Sequence, residues 1–259
     1  MKRTPITPNF SAFPTIFHNL IKKSALYDSS CSPEARVYFI DCDGGYYLKS
    51  APLGALSREA AQTRYFNQKG LGAEVLAYES DSRDWLLTRR VAGEDCTHSQ
   101  YIEDPLRLCD LIAECLRKLH ETDFSDCPVQ DHTKLYLETA EKNYRAGQYD
   151  LSYFFNRDAS VEDVWQTVQK YGSCLKSDTL LHGDYCLPNI MLDDWRFSGF
   201  IDLGNGGVGD RHVDLFWGAW TLNFNLGTDR YRDRFFDAYG RDRVDPEMIK
   251  LVSAVEVFG

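Results

Sequence analysis

The chain has 259 residues, 43% of them hydrophobic, enough to bury a full core as one large domain or two smaller lobes. A net charge of −10, a pI near 5.1 and the lack of any Lys/Arg run argue against a nucleic-acid binder, which needs a basic face. No stretch approaches the roughly 20 apolar residues of a membrane span, and Met1–Pro8 lacks the apolar centre of a secretory signal, so a cytoplasmic protein is expected.

Residues 1–24 are interrupted by proline, then mildly helical around Ile16–Lys23, and read as a surface segment packed on the first lobe. Val37–Asp41 and Tyr46–Lys49 flank Asp43-Gly-Gly and predict a hairpin. Lys49 ends a strand among apolar neighbours. Pointing inward it needs an anionic partner; facing solvent, the commoner fate of lysine, it needs none. Ser57 reads as the cap of a helix carrying Glu59. Ala73–Tyr78 and Trp85–Val91 predict two more strands around the turn at 80–84, the second running out through Gly93 as a linker between lobes. The expected division is therefore 1–90 and 91–259. Asp104-Pro105 starts an amphipathic helix with Asp as N-cap and Pro at the first helical position. Leu108, Leu111, Ile112, Cys115, Leu116 and Leu119 form its apolar stripe. His120 at its end reads as a cation suited to the helix dipole.

Leu135–Tyr144 is expected to be helical, as is the stretch carrying Val161, Val164, Trp165 and Val168, with Ser160 and Asp163 as a capping box. The run from 180 to 204 holds Asp184, Asn189 five residues on, and Asp202 thirteen beyond that. Two apolar runs, Asn189–Leu192 and Phe197–Asp202, joined by Asp193-Asp194, predict a tight hairpin. Its ends bring Asn189 and Asp202 to one space. A carboxylate can orient an alcohol and accept its proton, while a second carboxylate and an amide oxygen are hard ligands for Mg²⁺ on nucleotide phosphates. Each Asp alone reads as an ordinary turn residue; the ordered set reads as phosphoryl transfer. Downstream, a glycine-rich loop leads to Asp214 and an apolar helix from Leu215 to Leu222. Thr228–Tyr239, ended by Gly240, and a segment opened by Asp245-Pro246 predict the last two helices.

Leu181-His-Gly-Asp-Tyr-Cys-Leu-Pro-Asn-Ile-Met191, followed by Phe197-Ser-Gly-Phe-Ile-Asp-Leu-Gly204, closely resembles the aminoglycoside 3′-phosphotransferases. The likeness extends from about Ala25 to the C-terminus. It implies an α+β, bilobal protein-kinase-like fold with a small β-rich N-lobe and a larger, mostly helical C-lobe. It also implies an Mg²⁺-dependent kinase that uses ATP or GTP on a cationic aminoglycoside, as a monomer or weak dimer. The residue roles implied are Asp184 as base, Asn189 and Asp202 as metal ligands, and Lys49 with Glu59 aligning the phosphates. Ser32, in Ser32-Pro-Glu-Ala-Arg-Val-Tyr38, falls in the phosphate-covering loop, which lacks G-x-G-x-x-G. Tyr47 matches the adenine-stacking position, with a cross-strand tyrosine as the alternative. Arg89 and Val91 fall at the adenine-binding hinge. Asp150 and Glu256 are the substrate-binding candidates, and Asp214 is expected to accept backbone hydrogen bonds from the catalytic loop.

Three departures stand out. Asn205 occupies the position after Asp-x-Gly where the family carries Arg. Asn223-Phe-Asn-Leu226 lacks the family's drug-binding acids, and the C-terminus keeps only Glu256 of an acidic ending. They leave two rivals: a kinase of the same chemistry acting on another small alcohol, and a catalytically silent nucleotide-binding protein.

Overall fold

The computed structural model describes residues 3–31 and 35–259; the expectation for Ser32 lies outside them. The chain forms two compact units. One takes the chain up to Asp95 together with Met191–Gly204; the other is Cys96–Ile190 with Asn205–Gly259.

The first unit is built on an antiparallel sheet of β1 (Thr4–Pro5), β2 (Ala25–Asp28), β3 (Arg36–Asp41), β4 (Tyr46–Ala51), β5 (Val75–Ser80) and β6 (Asp84–Arg89). Its strand order is β1-β2-β3-β4-β6-β5. The expected hairpin is β3–β4, with Asp43, Gly44 and Gly45 all at positive φ in its turn. One face of the sheet buries Leu48, Trp85 and Leu87 against Phe13, Phe17 and Ile21, the last in helix α1 (His18–Lys22). The N-terminal segment thus supplies core side chains, beyond the surface packing expected of it. The other face packs Ala51 and Leu86 on helix α2 (Ser57–Gln68) through Leu56 and Ala60. Because side chains alternate along a strand, Lys49, paired with Leu86, falls on the α2 face.

Ser57 does not cap α2. The N-cap is Leu56, whose side chain makes no capping hydrogen bond, and the Ser57 hydroxyl donates to the Gly54 carbonyl at 3.0 Å. The Leu56 amide instead donates to the carboxylate of buried Asp84 at 2.8 Å. Asp84 also accepts from the Tyr78 and Ser80 hydroxyls. This residue of an ordinary-looking turn ties α2 to β5 and β6.

The second unit opens with α3 (Ser99–Ile102), α4 (Pro105–His120), α5 (His132–Arg145) and α6 (Val161–Tyr171). Asp104 caps α4 as expected, and the Ser160–Asp163 capping box of α6 is complete. Beyond Gly93, where the sequence predicts only a linker, the chain forms the short strand β7 (Glu94–Asp95) at the end of the first unit. β8 (Thr179–Leu181) leads to the segment carrying Asp184, and β9 (Ile190–Asp193) and β10 (Arg196–Phe200) form the predicted hairpin. Its turn is one residue later than expected: Asp194 and Trp195, at φ 45° and 64°, are the two left-handed central residues, as a hairpin's right-handed twist requires. The glycine-rich loop contains β11 (Gly207–Gly209), antiparallel to β8. A side chain at Gly209 would meet the His132 ring at 2.7 Å, so this strand closes only with glycine there. Helices α7 (His212–Leu226), α8 (Arg232–Tyr239) and α9 (Pro246–Glu256) follow. The core of this unit joins α5, α6, α7 and α9 through Ala140, Val164, Val213 and Val252.

Candidate active site

In the second unit, β8 delivers the chain to a loop whose backbone is held from below. Asp214, fully buried in the first turn of α7, accepts from the amides of His182 and Gly183, both at 2.8 Å. Gly183, at φ +82°, has room for no side chain: a Cβ would lie 2.0 Å from the Asn205 carbonyl oxygen. Tyr185, fully buried, donates its hydroxyl to the Ile112 carbonyl at 2.7 Å, and Thr221 of α7 accepts from the Leu187 amide at 3.1 Å. Between these anchors Asp184 is half-buried. The Asn189 amide nitrogen donates to the Asp184 carbonyl at 3.0 Å and to its Oδ2 at 2.9 Å. Both contacts use nitrogen, so the amide oxygen is the atom left to meet a cation.

His120 departs from its expected role. It is buried between Asp214, 3.1 Å from Nε2, and the Tyr239 hydroxyl, 2.8 Å from Nδ1. Burial lowers its pKa despite the Asp214 carboxylate, so it is neutral. Nε2–H then donates to the carboxylate and Nδ1 accepts from the tyrosine.

In the first unit, Lys49 Nζ donates to both oxygens of Glu59, at 3.0 and 2.8 Å, and to Asp202 Oδ1 at 2.6 Å. Burial works against its charge, but the Glu59 and Asp202 carboxylates outweigh it and raise the pKa. Of the two readings of Lys49, the structure takes the inward one. Asp202 sits at φ 60°, a left-handed conformation rare for a non-glycine residue, and its carboxylate is 55% exposed. Strain of this kind concentrates at functional positions. Gly204 beside it lies against Glu59, whose Oε2 is 3.6 Å from where a Cβ would stand, an ordinary contact distance.

The same unit has a cleft of about 210 Å³ lined by Arg3, Tyr47, Arg90, Gly93, Glu94, Asp95 and Met191. Tyr47 is there, its ring 5.2 Å from Phe39. Arg89 and Val91 do not line it. The Arg89 amide and guanidinium both go to Glu74, and Val91 packs at Gly199. Gly93 brings the chain against β9: a Cβ would fall 2.0 Å from the Leu192 carbonyl.

Asp150 and Glu256 both lie in the second unit. Asp150 caps a short turn over Leu151–Tyr153, and its amide donates to the Val257 carbonyl at 2.8 Å. Glu256 is buried, its Oε1 accepting from the Tyr136 hydroxyl at 2.8 Å and the Trp217 indole at 2.9 Å. Burial brings its pKa up to about 7, against the lowering effect of the Tyr136 and Trp217 hydrogen bonds and with a smaller upward push from the Asp184 charge. Cys186 is also pushed well above the ordinary thiol range by burial and the Asp184 charge, which leaves it a protonated, inert thiol. Sequence reasoning missed Tyr136, Trp217, Thr221 and Asp84. Each acts through a contact between distant segments, and no local pattern marks it.

The Asp202 carboxylate and the Asn189 amide oxygen are each, by their chemistry, donors that suit Mg²⁺. One carboxylate and one amide oxygen are both hard oxygen ligands, and Mg²⁺ typically takes one or two such groups plus phosphates and water. Among the described residues no cluster of three or more His, Cys, Asp or Glu side chains makes a self-sufficient metal cage.

Residues 31–249 match the family model described as the phosphotransferase enzyme family. A "probable aminoglycoside 3′-phosphotransferase" of Lactococcus lactis is 54% identical over 253 residues, 97% of each chain. An aminoglycoside 3′-phosphotransferase of Niallia circulans is 29% identical over 70% of this chain and 69% of its own. Among solved structures, an aminoglycoside 3′-phosphotransferase of type VIII superposes with a TM-score of 0.75 at 24% identity, covering 89% of this chain and 92% of its own. A Streptomyces rimosus aminoglycoside phosphotransferase in complex with ADP and streptomycin gives 0.71 at 22% identity, over 97% and 99%. The fold is therefore the kinase-like one expected, with a β-rich N-terminal part and a helical C-terminal part.

Proposed function

Because the chain belongs to the phosphotransferase enzyme family, we propose that it is an Mg²⁺-dependent kinase moving the γ-phosphoryl group of ATP (or GTP) to an aminoglycoside, at the 3′-hydroxyl. The observation that carries this reading is the 54% identity, over nearly the full length of both chains, to the Lactococcus lactis relative.

Asp184 orients the acceptor hydroxyl and takes its proton. The hydroxyl oxygen forms a bond to the γ-phosphorus, the bond to the bridging oxygen breaks, and ADP leaves. The Asn189 amide donated to Asp184 holds that carboxylate in one rotamer. Asn189 and Asp202 supply oxygens for Mg²⁺, which when bound neutralises developing charge on the phosphates. Lys49, kept cationic by Glu59, holds the phosphates, and Tyr47 in the first-unit cleft receives the adenine. A cytoplasmic location and a role in antibiotic resistance follow from this reading.

Asp184→Asn keeps the shape and the Asn189 contact but cannot take a proton. Turnover is expected to fall about 10²- to 10⁴-fold with nucleotide affinity retained. Near-normal turnover would sink the base assignment. The stretch at 223–226, free of acids, favours as second reading another amino-sugar or small-alcohol acceptor. An ADP-release assay on kanamycin, neomycin and a 3′-deoxy aminoglycoside decides. Turnover on the first two alone supports a 3′-kinase, and silence on all three leaves the acceptor elsewhere.

A further inference from the structure

Helix α7 carries Trp217, Trp220, Thr221 and Phe224 at i, i+3, i+4 and i+7, one stripe of the helix. The stripe lies beside the catalytic loop, since Thr221 accepts from Leu187, three residues beyond Asp184. Its rings are ordered. Trp217 is pinned by its indole N–H to Glu256, Tyr153 meets it edge-on at 5.6 Å, and Tyr153 reaches Trp220 at 6.0 Å. Trp220 and Phe224 stack in parallel, 4.9 Å apart and 12° from coplanar. Phe224 is nevertheless 70% exposed, so this stack ends at solvent. Glu256 holds the Trp217 indole, and Asp150, Glu256 and Asp184 all weigh on the Tyr153 hydroxyl, whose pKa burial raises first.

We propose that Tyr153, Trp217, Trp220 and Phe224 form an aromatic platform on which the acceptor's amino-sugar ring stacks, in place of the acids absent from 223–226. This rests on the aminoglycoside reading above and names how that substrate is held. A sugar ring offers one face of C–H groups to an aromatic surface, and its ammonium groups gain from lying over ring faces. The carboxylates that weigh on Tyr153 and the net charge of −10 fit a polycation and disfavour an anionic or purely apolar occupant. Glu256 contributes indirectly, as the positioning residue that fixes the Trp217 indole.

The test uses the full chain with Mg-ATP and kanamycin or neomycin, comparing wild type with Phe224→Ala, Trp220→Ala and Phe224→Tyr. For the two alanine variants the acceptor KM is expected to rise about ten-fold, with kcat and the KM for ATP within about two-fold of wild type. Phe224→Tyr keeps the ring and is expected to match wild type. Phe224 is exposed, so its variant tests the idea even if Trp220→Ala misfolds. An unchanged acceptor KM in Phe224→Ala overturns the platform while wild-type turnover leaves the kinase reading standing. A concentration-dependent loss of self-association in that variant, with KM unchanged, also overturns it. Wild type inactive on every aminoglycoside overturns both.

Discussion

Glu256 is a carboxyl group whose folded state favours the proton. Its pKa rises from an ordinary 4.5 to about 7, a differential of about 3 kcal/mol. Because the folded value is the higher one, this contribution to stability is complete below about pH 4.5 and is lost as pH rises through about 7. Glu256→Gln keeps an oxygen to accept from Tyr136 and Trp217 but carries no charge. It is expected to match wild type near pH 4.5 and to become more stable than it by up to about 3 kcal/mol at pH 8. Urea unfolding of both proteins at the two pH values measures this, and a pH-independent difference would remove Glu256 as a titrating group. At this scale the sequence was legible where chemistry follows order. Asp184, Asn189 and Asp202 stand out by spacing and residue type. His120 does not, because a histidine at a helix end looks the same whether it meets solvent or the Asp214 carboxylate.

At the scale of elements, α7 is the part on which the loop carrying Asp184 rests. Asp214 takes two backbone amides and the His120 ring, and its pKa is low because those donors outweigh full burial. Asp214→Ala leaves three buried donors without an acceptor. The expected loss is about 1–3 kcal/mol for each donor left unsatisfied, read as a lower urea midpoint, together with lost turnover. Asp214→Asn, which keeps one acceptor oxygen, is expected to lose less. Equal stability of Asp214→Ala and wild type would show that the loop is held by other contacts. Helices α6 and α9 were legible in advance for the same reason α4 was, each opening on a capping side chain, Ser160 and Asp245. A cap such as Asp104, Pro at the first position and an apolar stripe are local signals. What stayed hidden was non-local. The cap of α2 comes from Asp84, 28 residues downstream, and β8 and β11 pair across an interval that includes the whole catalytic motif. The hairpin turn moved by one residue because positive φ at both central positions falls on Asp194 and Trp195, where no glycine announces it.

At the scale of the whole molecule, the net charge of −10 bears on both substrates with opposite sign. A polycationic acceptor is drawn toward the protein at long range, while Mg-ATP, which is anionic, is not. Screening shortens the reach of these fields from about 10 Å at 0.1 M salt to about 3 Å at 1 M. Raising NaCl across that range is therefore expected to lower kcat/KM for the aminoglycoside by about ten-fold or more. The value for Mg-ATP should hold steady or rise. The opposed slopes separate steering from a general salt effect on the enzyme, since damage to the fold would lower both together. If both parameters fall in parallel, the charge has no steering role. The acceptor would then be recognised only by contacts at short range, among them the α7 rings, whose cation–π and C–H contacts act within about 6 Å and are less open to screening.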